Sequence, residues 1–101
     1  MTYTYIWEFK VSAEHADAFR AHYGEGGAWT QLFRRAQGYL GTRLLRDVAD
    51  PLRFVTIDSW RSVEDYEAFR ASFASEYAAL DRACESFTSE ETLIGKFAGE
   101  P

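Results

Sequence analysis

The residues from Thr2 to Val11 alternate between apolar and polar side chains, and this pattern constrains the fold more than any other feature of the chain. Ile6 is the exception to the alternation. A period of two predicts a β-strand that buries one of its faces. That face is almost entirely aromatic and consists of Tyr3, Tyr5, Trp7, Phe9 and Val11.

Two short helices are predicted after this strand. Ser12 can cap the first, in which Ala16, Phe19 and Tyr23 are spaced for one side of a short helix, and the sequence GEGG at 24–27 ends it. The second covers residues 28–36, whose apolar side chains form a single stripe, and Gly38 stops it. Each helix has one apolar side, which indicates packing against a sheet.

A hairpin and a long helix come next. Residues 39–48 and 52–60 are predicted strands, and the sequence ADP between them supplies the turn. In the long helix, apolar residues recur at spacings of three and four from Tyr66 to Phe87. Ser72 can cap a second segment after a break in this helix. The sequence TLIGKF at 92–97 is the last predicted strand.

This order of strand, helices, strand, strand, helix and strand predicts an α+β fold. One four-stranded antiparallel sheet with the helices on one face satisfies the order, and this is the ferredoxin-like split βαβ arrangement. We expect one domain over residues 1–101. The other face of the sheet carries charged residues such as Glu8 and Lys10 among apolar ones. We therefore expect a homodimer in which two sheets meet face to face.

The aromatic content predicts a pocket or an interface. The 101 residues include 3 Trp, 6 Tyr and 8 Phe. A chain of this length cannot cover so many rings, so some of them should line a pocket or a subunit interface. The formal net charge of −5 argues against nucleic acid as a partner, because phosphate binding relies on a basic face.

The sequence predicts neither a membrane span nor an export signal. No segment approaches the ~18 apolar residues of a spanning helix. The N-terminal sequence MTYTYIWEFK lacks the basic and apolar regions of a signal peptide. Cys84 is the only cysteine, so no intrachain disulfide can form, and we expect a cytoplasmic location.

No cofactor is expected. His15, His22 and the single cysteine do not have the spacing of metal ligands. The GEGG sequence does not follow a predicted strand, and it lacks the pattern of a phosphate-binding loop.

The sequence DSWRSVEDYEAF, residues 58–69, predicts a strand end followed by a capped helix. Ser62 and Asp65 have the spacing of a capping box, with Asp in place of the usual Glu or Gln. Trp60 and Tyr66 flank this corner, and each has a polar atom that is costly to bury without a partner. These two residues belong either to the core or to a site.

With this corner and the sequence GYLG at 38–41, the chain resembles the antibiotic-biosynthesis-monooxygenase family of dimeric α+β barrels. The resemblance extends over residues 3–97. It implies the fold and the homodimer that the element order predicts. Members of this superfamily carry out different reactions, so the resemblance leaves the activity open.

One branch of the family oxidises polycyclic anthrones to quinones with O2 and without metal or flavin. The resemblance implies site roles for Trp60, at the strand end, and for Tyr66, six residues later. Thr56 stands where that branch has Asn, and Leu80 falls about where it has Arg. Half of that branch's set is therefore present.

A second branch degrades haem with an Asn on the first strand and a Trp and a His on the long helix. In this chain Trp7 falls at the Asn position and Phe69 at the Trp position. The long helix contains no His. Haem degradation is therefore disfavoured.

Two titratable residues are candidates for proton transfer. Asp58 shares a strand face with Trp60, where burial would raise its pKa towards the range of a general base. The alternative for Asp58 is a salt bridge to Arg43 or Arg53. His22 follows the apolar stripe of the first helix, and its alternative role is that of a surface histidine at a helix C-terminus.

Together these residues predict a cofactor-independent monooxygenase that acts on a small aromatic or polyphenolic metabolite. Such an enzyme must hold a flat substrate, take a proton and stabilise an anion. The alternative is a non-catalytic dimeric protein of the same fold, which binds a small molecule or has a stress-related role. The predicted catalytic residues are Trp60, Tyr66, Asp58 and His22. The predicted substrate-binding residues are Trp7, Thr56, Phe69 and Phe73, of which the three aromatic ones also fit core positions.

Overall fold

In the computed structural model, which describes residues 1–101, four strands form one antiparallel sheet. The order of the strands across the sheet is β2-β3-β1-β4. Their bounds are β1 Tyr3–Val11, β2 Tyr39–Arg46, β3 Arg53–Trp60 and β4 Thr88–Ala98.

Four helices pack against one face of this sheet. Their residues join the odd-numbered residues of β1 in a single core of buried, mostly aromatic side chains. The predicted α+β fold with a ferredoxin-like split βαβ arrangement is therefore confirmed. The bounds of the helices are α1 Ala16–Tyr23, α2 Ala28–Phe33, α3 Val63–Ser72 and α4 Ala74–Cys84.

The register between β1 and β3 puts the aromatic side chains on the helix-covered face. Phe9 lies opposite Phe54, and Tyr3 lies opposite Trp60. Phe19 of α1 packs on this pair of strands, with its ring centroid 5.3 Å from that of Phe9 and 5.0 Å from that of Phe54. The alternation in the first strand thus directs one row of rings into the core.

The predicted long helix is two helices, α3 and α4, as the break suggested. Phe73 lies between them with φ −114° and ψ 28°. Its N–H donates to the carbonyl of Phe69, and its carbonyl accepts from the N–H of Tyr77. These two hydrogen bonds keep the helices nearly continuous. The predicted caps at Ser12 and Ser72 are wrong. Ser12 makes no side-chain capping bond, and α4 starts after Phe73 without one.

Other element bounds differ from the sequence prediction at the ends. The last strand begins at Thr88, four residues before the predicted start, and its early residues Thr88–Glu91 are polar. A strand at the edge of a sheet tolerates polar residues because it is open to water, so periodicity did not reveal them. The second helix ends at Phe33, and residues 34–36 continue as turns.

The corner after β3 is held by a cap and by Gly38. The Asp65 N–H donates to Ser62 Oγ at 3.1 Å, which confirms Ser62 as the N-cap of α3. The Asp65 carboxylate accepts from Arg61, so the reciprocal half of the capping box does not form. Gly38 has φ +89°, its carbonyl accepts from Arg61 N–H at 2.7 Å, and a Cβ there would collide with Asp65.

The second face of the sheet has no helix over it. We call this the open face of the sheet, and its apolar residues are Ile6, Leu45, Val55, Ile57 and Phe97. Charged groups lie at one end of it, where Arg53 pairs with Glu8 and with Asp47. No helix of the chain is long and apolar enough to cross a membrane.

Candidate functional site

A cavity of about 340 Å³ lies between the sheet and the helices, and it opens to solvent on one side. Every apolar residue that lines it is aromatic. We call it the aromatic cavity. Its rings come from β1, with Tyr5, Trp7 and Phe9, and from the helices, with Tyr23, Trp29, Phe33 and Tyr77.

Six polar residues complete the lining of the aromatic cavity. Those on the sheet form its floor, because they lie on the face of the sheet that the helices cover. Two of the others belong to the helices and one to the edge strand β4. The six residues are Thr42, Thr56 and Asp58 on the sheet, Arg70 and Asp81 on the helices, and Glu91 on β4.

Asp58 is the buried carboxyl of the aromatic cavity. It is 6% exposed and lies opposite Tyr5 of β1 and Thr42 of β2. Thr42 Oγ1 donates to Asp58 Oδ1, and Tyr39 OH is 2.5 Å from Thr42 Oγ1. Because the Thr42 proton is directed at Asp58, Tyr39 is the donor to Thr42.

The surroundings of Asp58 favour its neutral form. Burial raises the pKa of Asp58 to about 6, and the hydrogen bond from Thr42 opposes part of that rise. The salt bridge considered for Asp58 does not form, because Arg53 pairs with Glu8 and Asp47, and Arg43 lies 3.9 Å from Glu25. Asp58 can therefore accept a proton near neutral pH.

Two of the predicted substrate-binding residues lie beside Asp58. Trp7 and Thr56 are partners in the register of β1 and β3, and both line the aromatic cavity. Thr56 is 4% exposed, whereas Trp7 is only half-buried. The structure thus brings together Asp58, Trp7 and Thr56 out of the eight residues predicted from the sequence.

Trp60 and Tyr66 lie behind the wall of the aromatic cavity. Trp60 is 0% exposed, and its indole N–H donates to Tyr5 OH at 3.3 Å. Tyr66 is half-buried, with its ring centroid 5.1 Å from that of Tyr5. Both residues therefore act on the cavity through Tyr5, which lines it.

Phe69, Phe73 and His22 also lie away from the lining. Phe69 is 2% exposed and packs on Trp60 in the core. Phe73 is half-buried beneath the guanidinium of Arg35, at 4.9 Å. His22 Nδ1 is 2.8 Å from the carbonyl oxygen of Ala18 within its own helix. None of the three contributes to the aromatic cavity.

Arg70 is one of the cavity residues that were not predicted from the sequence. Its guanidinium lies 3.8 Å from the centroid of the Tyr77 ring, and its Nη1 donates to Tyr66 OH at 3.1 Å. Leu80, the helix residue that the family resemblance singled out, packs against the core instead. The spacing of four residues between Tyr66 and Arg70 on one helix is the signal that could have found it.

The model of the antibiotic biosynthesis monooxygenase family matches residues 2–82. The chain belongs to the antibiotic biosynthesis monooxygenase family. The match ends within α4, although β4 beyond it completes the sheet by pairing with β1. A search of curated proteins found no match.

Solved structures of other proteins share this fold at low sequence identity. A Deinococcus radiodurans protein has a TM-score of 0.78 at 19% identity, over 100% of this chain and 95% of its own. A Mycobacterium tuberculosis protein has a TM-score of 0.77 at 16% identity, over 100% and 97%. SnoaB, a cofactor-independent oxygenase from Streptomyces nogalater, has a TM-score of 0.66 at 21% identity, over 99% and 94%. At these identities the likeness shows the fold of this monooxygenase-family chain and not its substrate.

Proposed function

We propose that this protein is a cofactor-independent monooxygenase that acts on a small aromatic or polyphenolic metabolite. The observation that carries the proposal is Asp58, a carboxyl with a pKa near 6 and no cationic partner, at the floor of the aromatic cavity. The likeness to SnoaB supports a role in oxygenation. In this proposal Asp58 is the base, and Trp7 and Thr56 contact the substrate.

The reaction needs a base and an aromatic binding site from the protein. Ionised Asp58 takes a proton from an acidic O–H or C–H group of the bound substrate, which leaves an electron-rich anion. The anion transfers one electron to O2, and the resulting radical and superoxide combine into a C–O bond. The peroxide takes up a proton from Asp58 and loses water, so that a CH2 group and O2 yield a carbonyl group and H2O.

Trp60 and Tyr66 serve as positioning residues in this proposal. Trp60 holds Tyr5 by a hydrogen bond, and Tyr66 accepts from Arg70, so each fixes a side chain that lines the cavity. Replacing either residue should therefore change the affinity for substrate more than it changes the pH profile. His22, Phe69 and Phe73 have no part in the proposed chemistry.

Oxygen consumption with the anthrone dithranol tests the proposal. We expect wild-type turnover to rise with pH through about 6, because Asp58 must be ionised to act. Asp58→Asn should reduce turnover by about 10²-fold or more, in the range of lost general-base catalysis. Glu85→Gln, which removes an exposed carboxylate outside the cavity, is the control and should retain activity. The absence of turnover on dithranol and on simpler quinols would reject the proposal.

A non-catalytic small-molecule-binding protein, including one with a stress-related role, is the second candidate. The observation that favours it is the pair Thr56 and Leu80, which stand where the oxygenating branch has Asn and Arg. It predicts a small aromatic ligand that accompanies the protein through purification and that mass spectrometry detects. It also predicts that this ligand stays unchanged in air.

We infer in addition that the protein is a cytoplasmic homodimer. Leu45 and Phe97 on the open face of the sheet are 41% and 49% exposed, and a second copy would cover both. The single cysteine, Cys84, is buried as a free thiol, which fits a reducing compartment. Light scattering tests the dimer, and a mass near 11.6 kDa at micromolar concentration would contradict it.

A further inference from the structure

The wall of the aromatic cavity contains no aliphatic side chain such as Leu, Ile or Val. A site that recognises only shape and apolar area would also use Leu, Ile or Val, which the core of this protein and its open face contain. Aromatic faces differ from aliphatic groups because their quadrupole presents negative charge to a bound group. Walls made of such faces bind ammonium groups, including quaternary ones.

The charged groups of the lining also favour a cationic ligand. Asp58, Asp81 and Glu91 supply three carboxylates, against the single guanidinium of Arg70. No ion pair of the molecule includes any of these three carboxylates. A cleft whose lining carries a net charge of one sign raises the local concentration of ligands with the opposite charge.

Arg70 does not reverse the preference for a cationic ligand, because its guanidinium already contacts aromatic side chains of the protein. Its guanidinium lies against the ring of Tyr77, and one of its N–H groups is bonded to Tyr66 OH. This contact is an intramolecular example of a cation held by a ring of the cavity. The rings of Trp7, Phe9 and Trp29 have no cation over them.

We propose that the aromatic cavity selects a cationic organic ligand, namely an aromatic metabolite that carries a protonated or quaternary amine. Asp81 and Glu91 are exposed and lie towards the mouth, whereas Asp58 is buried at the floor. The amine therefore lies near the mouth, and the aromatic ring extends inwards with a hydroxyl group towards Asp58. This assignment deepens the proposed function and rests on it for the role of Asp58.

Binding of a matched probe pair tests the charge preference without requiring turnover. The probes are (3-hydroxyphenyl)trimethylammonium and 3-tert-butylphenol, which have the same shape and differ by one charge. Fluorescence from Trp7 and Trp29 reports occupancy, and calorimetry gives the affinity. We expect the cation to bind about two- to fivefold more tightly than its neutral analogue, which is the effect of a cation over aromatic rings at a solvent-exposed mouth. 3-Hydroxybenzoate, an anion, should bind most weakly.

Three variants separate a charge effect from a change in shape. Asp81→Asn and Glu91→Gln should each weaken binding of the cation about two- to threefold, as expected for partly exposed charges. Neither should alter binding of 3-tert-butylphenol. Glu85→Gln is the matched control, because it removes an exposed carboxylate outside the lining, and it should leave both affinities unchanged.

The outcomes distinguish this inference from the proposed function. Equal affinities for the two phenols, tightest binding of 3-hydroxybenzoate, or no binding of any probe would each overturn the cationic assignment. Oxidation of dithranol, which is neutral, together with any of these results would leave the monooxygenase proposal standing alone. Preference for the cation without oxidation of any quinol would support the cationic site and reject the monooxygenase.

Discussion

Asp58 and Trp60 lie two residues apart on the same face of β3, yet their surroundings differ completely. Phe33, Tyr66 and Phe69 pack around Trp60, and its one polar atom is bonded to Tyr5. No helix packs directly on Asp58, because the aromatic cavity lies between them. Burial raises the pKa of this carboxyl. The same strand thus supplies a structural anchor and a reactive group, and what packs opposite each residue decides which it becomes.

The largest expected effect on stability comes from replacing Trp60, the structural anchor. Trp60→Ala should lower the free energy of unfolding by about 3–5 kcal/mol, because it opens a void in a core where Trp60 is fully buried. Trp60→Phe keeps most of the packing and loses mainly the bond to Tyr5, so we expect a loss of about 1 kcal/mol. Urea unfolding measures both. A stable Trp60→Ala variant that binds no ligand would show that Trp60 belongs to the site instead.

The next effect concerns Asp58, whose replacement should raise the free energy of unfolding instead of lowering it. The folded-state pKa is raised from 3.8 to about 6, so the stability that protonated Asp58 contributes is fully present below about pH 4 and is lost as the pH rises through 6. Asn cannot ionise, and its amide oxygen can still accept from Thr42. Asp58→Asn should therefore unfold with up to about 3 kcal/mol more free energy than wild type at neutral pH.

Unfolding at two pH values checks this prediction for Asp58. The advantage of Asp58→Asn should largely disappear near pH 4, because wild-type Asp58 is then also neutral in the native state. Asp81→Asn is the control, since Asp81 is an exposed carboxylate of the same cavity and should have little effect on stability. An Asp58→Asn variant that is less stable than wild type at neutral pH would contradict the raised pKa of Asp58.

The contrast between these two residues also explains what could be predicted from the sequence. The β1 alternation, the hairpin and the Ser62 cap depend on residues close together in the chain, and the structure has all three. Ser12 fails as a cap because a 3-10 turn follows it, in which the Ser12 carbonyl accepts from His15 N–H and the side chain is not used. Local patterns therefore predicted the elements well and individual caps less well.

The lining of the cavity was harder to predict because it depends on where the helices leave a gap. Period two placed Asp58 on the covered face of β3, and the resemblance to the family pointed to Thr56 on the same face. Apart from the spacing of Arg70 to Tyr66, no local pattern shows that a helix residue such as Asp81 lies over that gap while Phe69 and Phe73 do not. Glu91 belongs to a stretch of β4 that the sequence did not indicate as a strand.

The smallest predicted effect tests whether the corner and the cavity are separate units. Ser62 Oγ satisfies one N–H of α3, and the exposed pair of Arg61 and Asp65 adds little beside it. Ser62→Ala should cost about 1 kcal/mol of unfolding free energy, as for other lost N-caps. Ser72→Ala, which removes an exposed hydroxyl without a hydrogen bond, is the control and should be close to neutral. Because α3 also carries Arg70, a fall in ligand affinity in Ser62→Ala would show that the cap positions the cavity wall. Unchanged affinity would show that the packing of the Trp60 corner alone is sufficient to hold it.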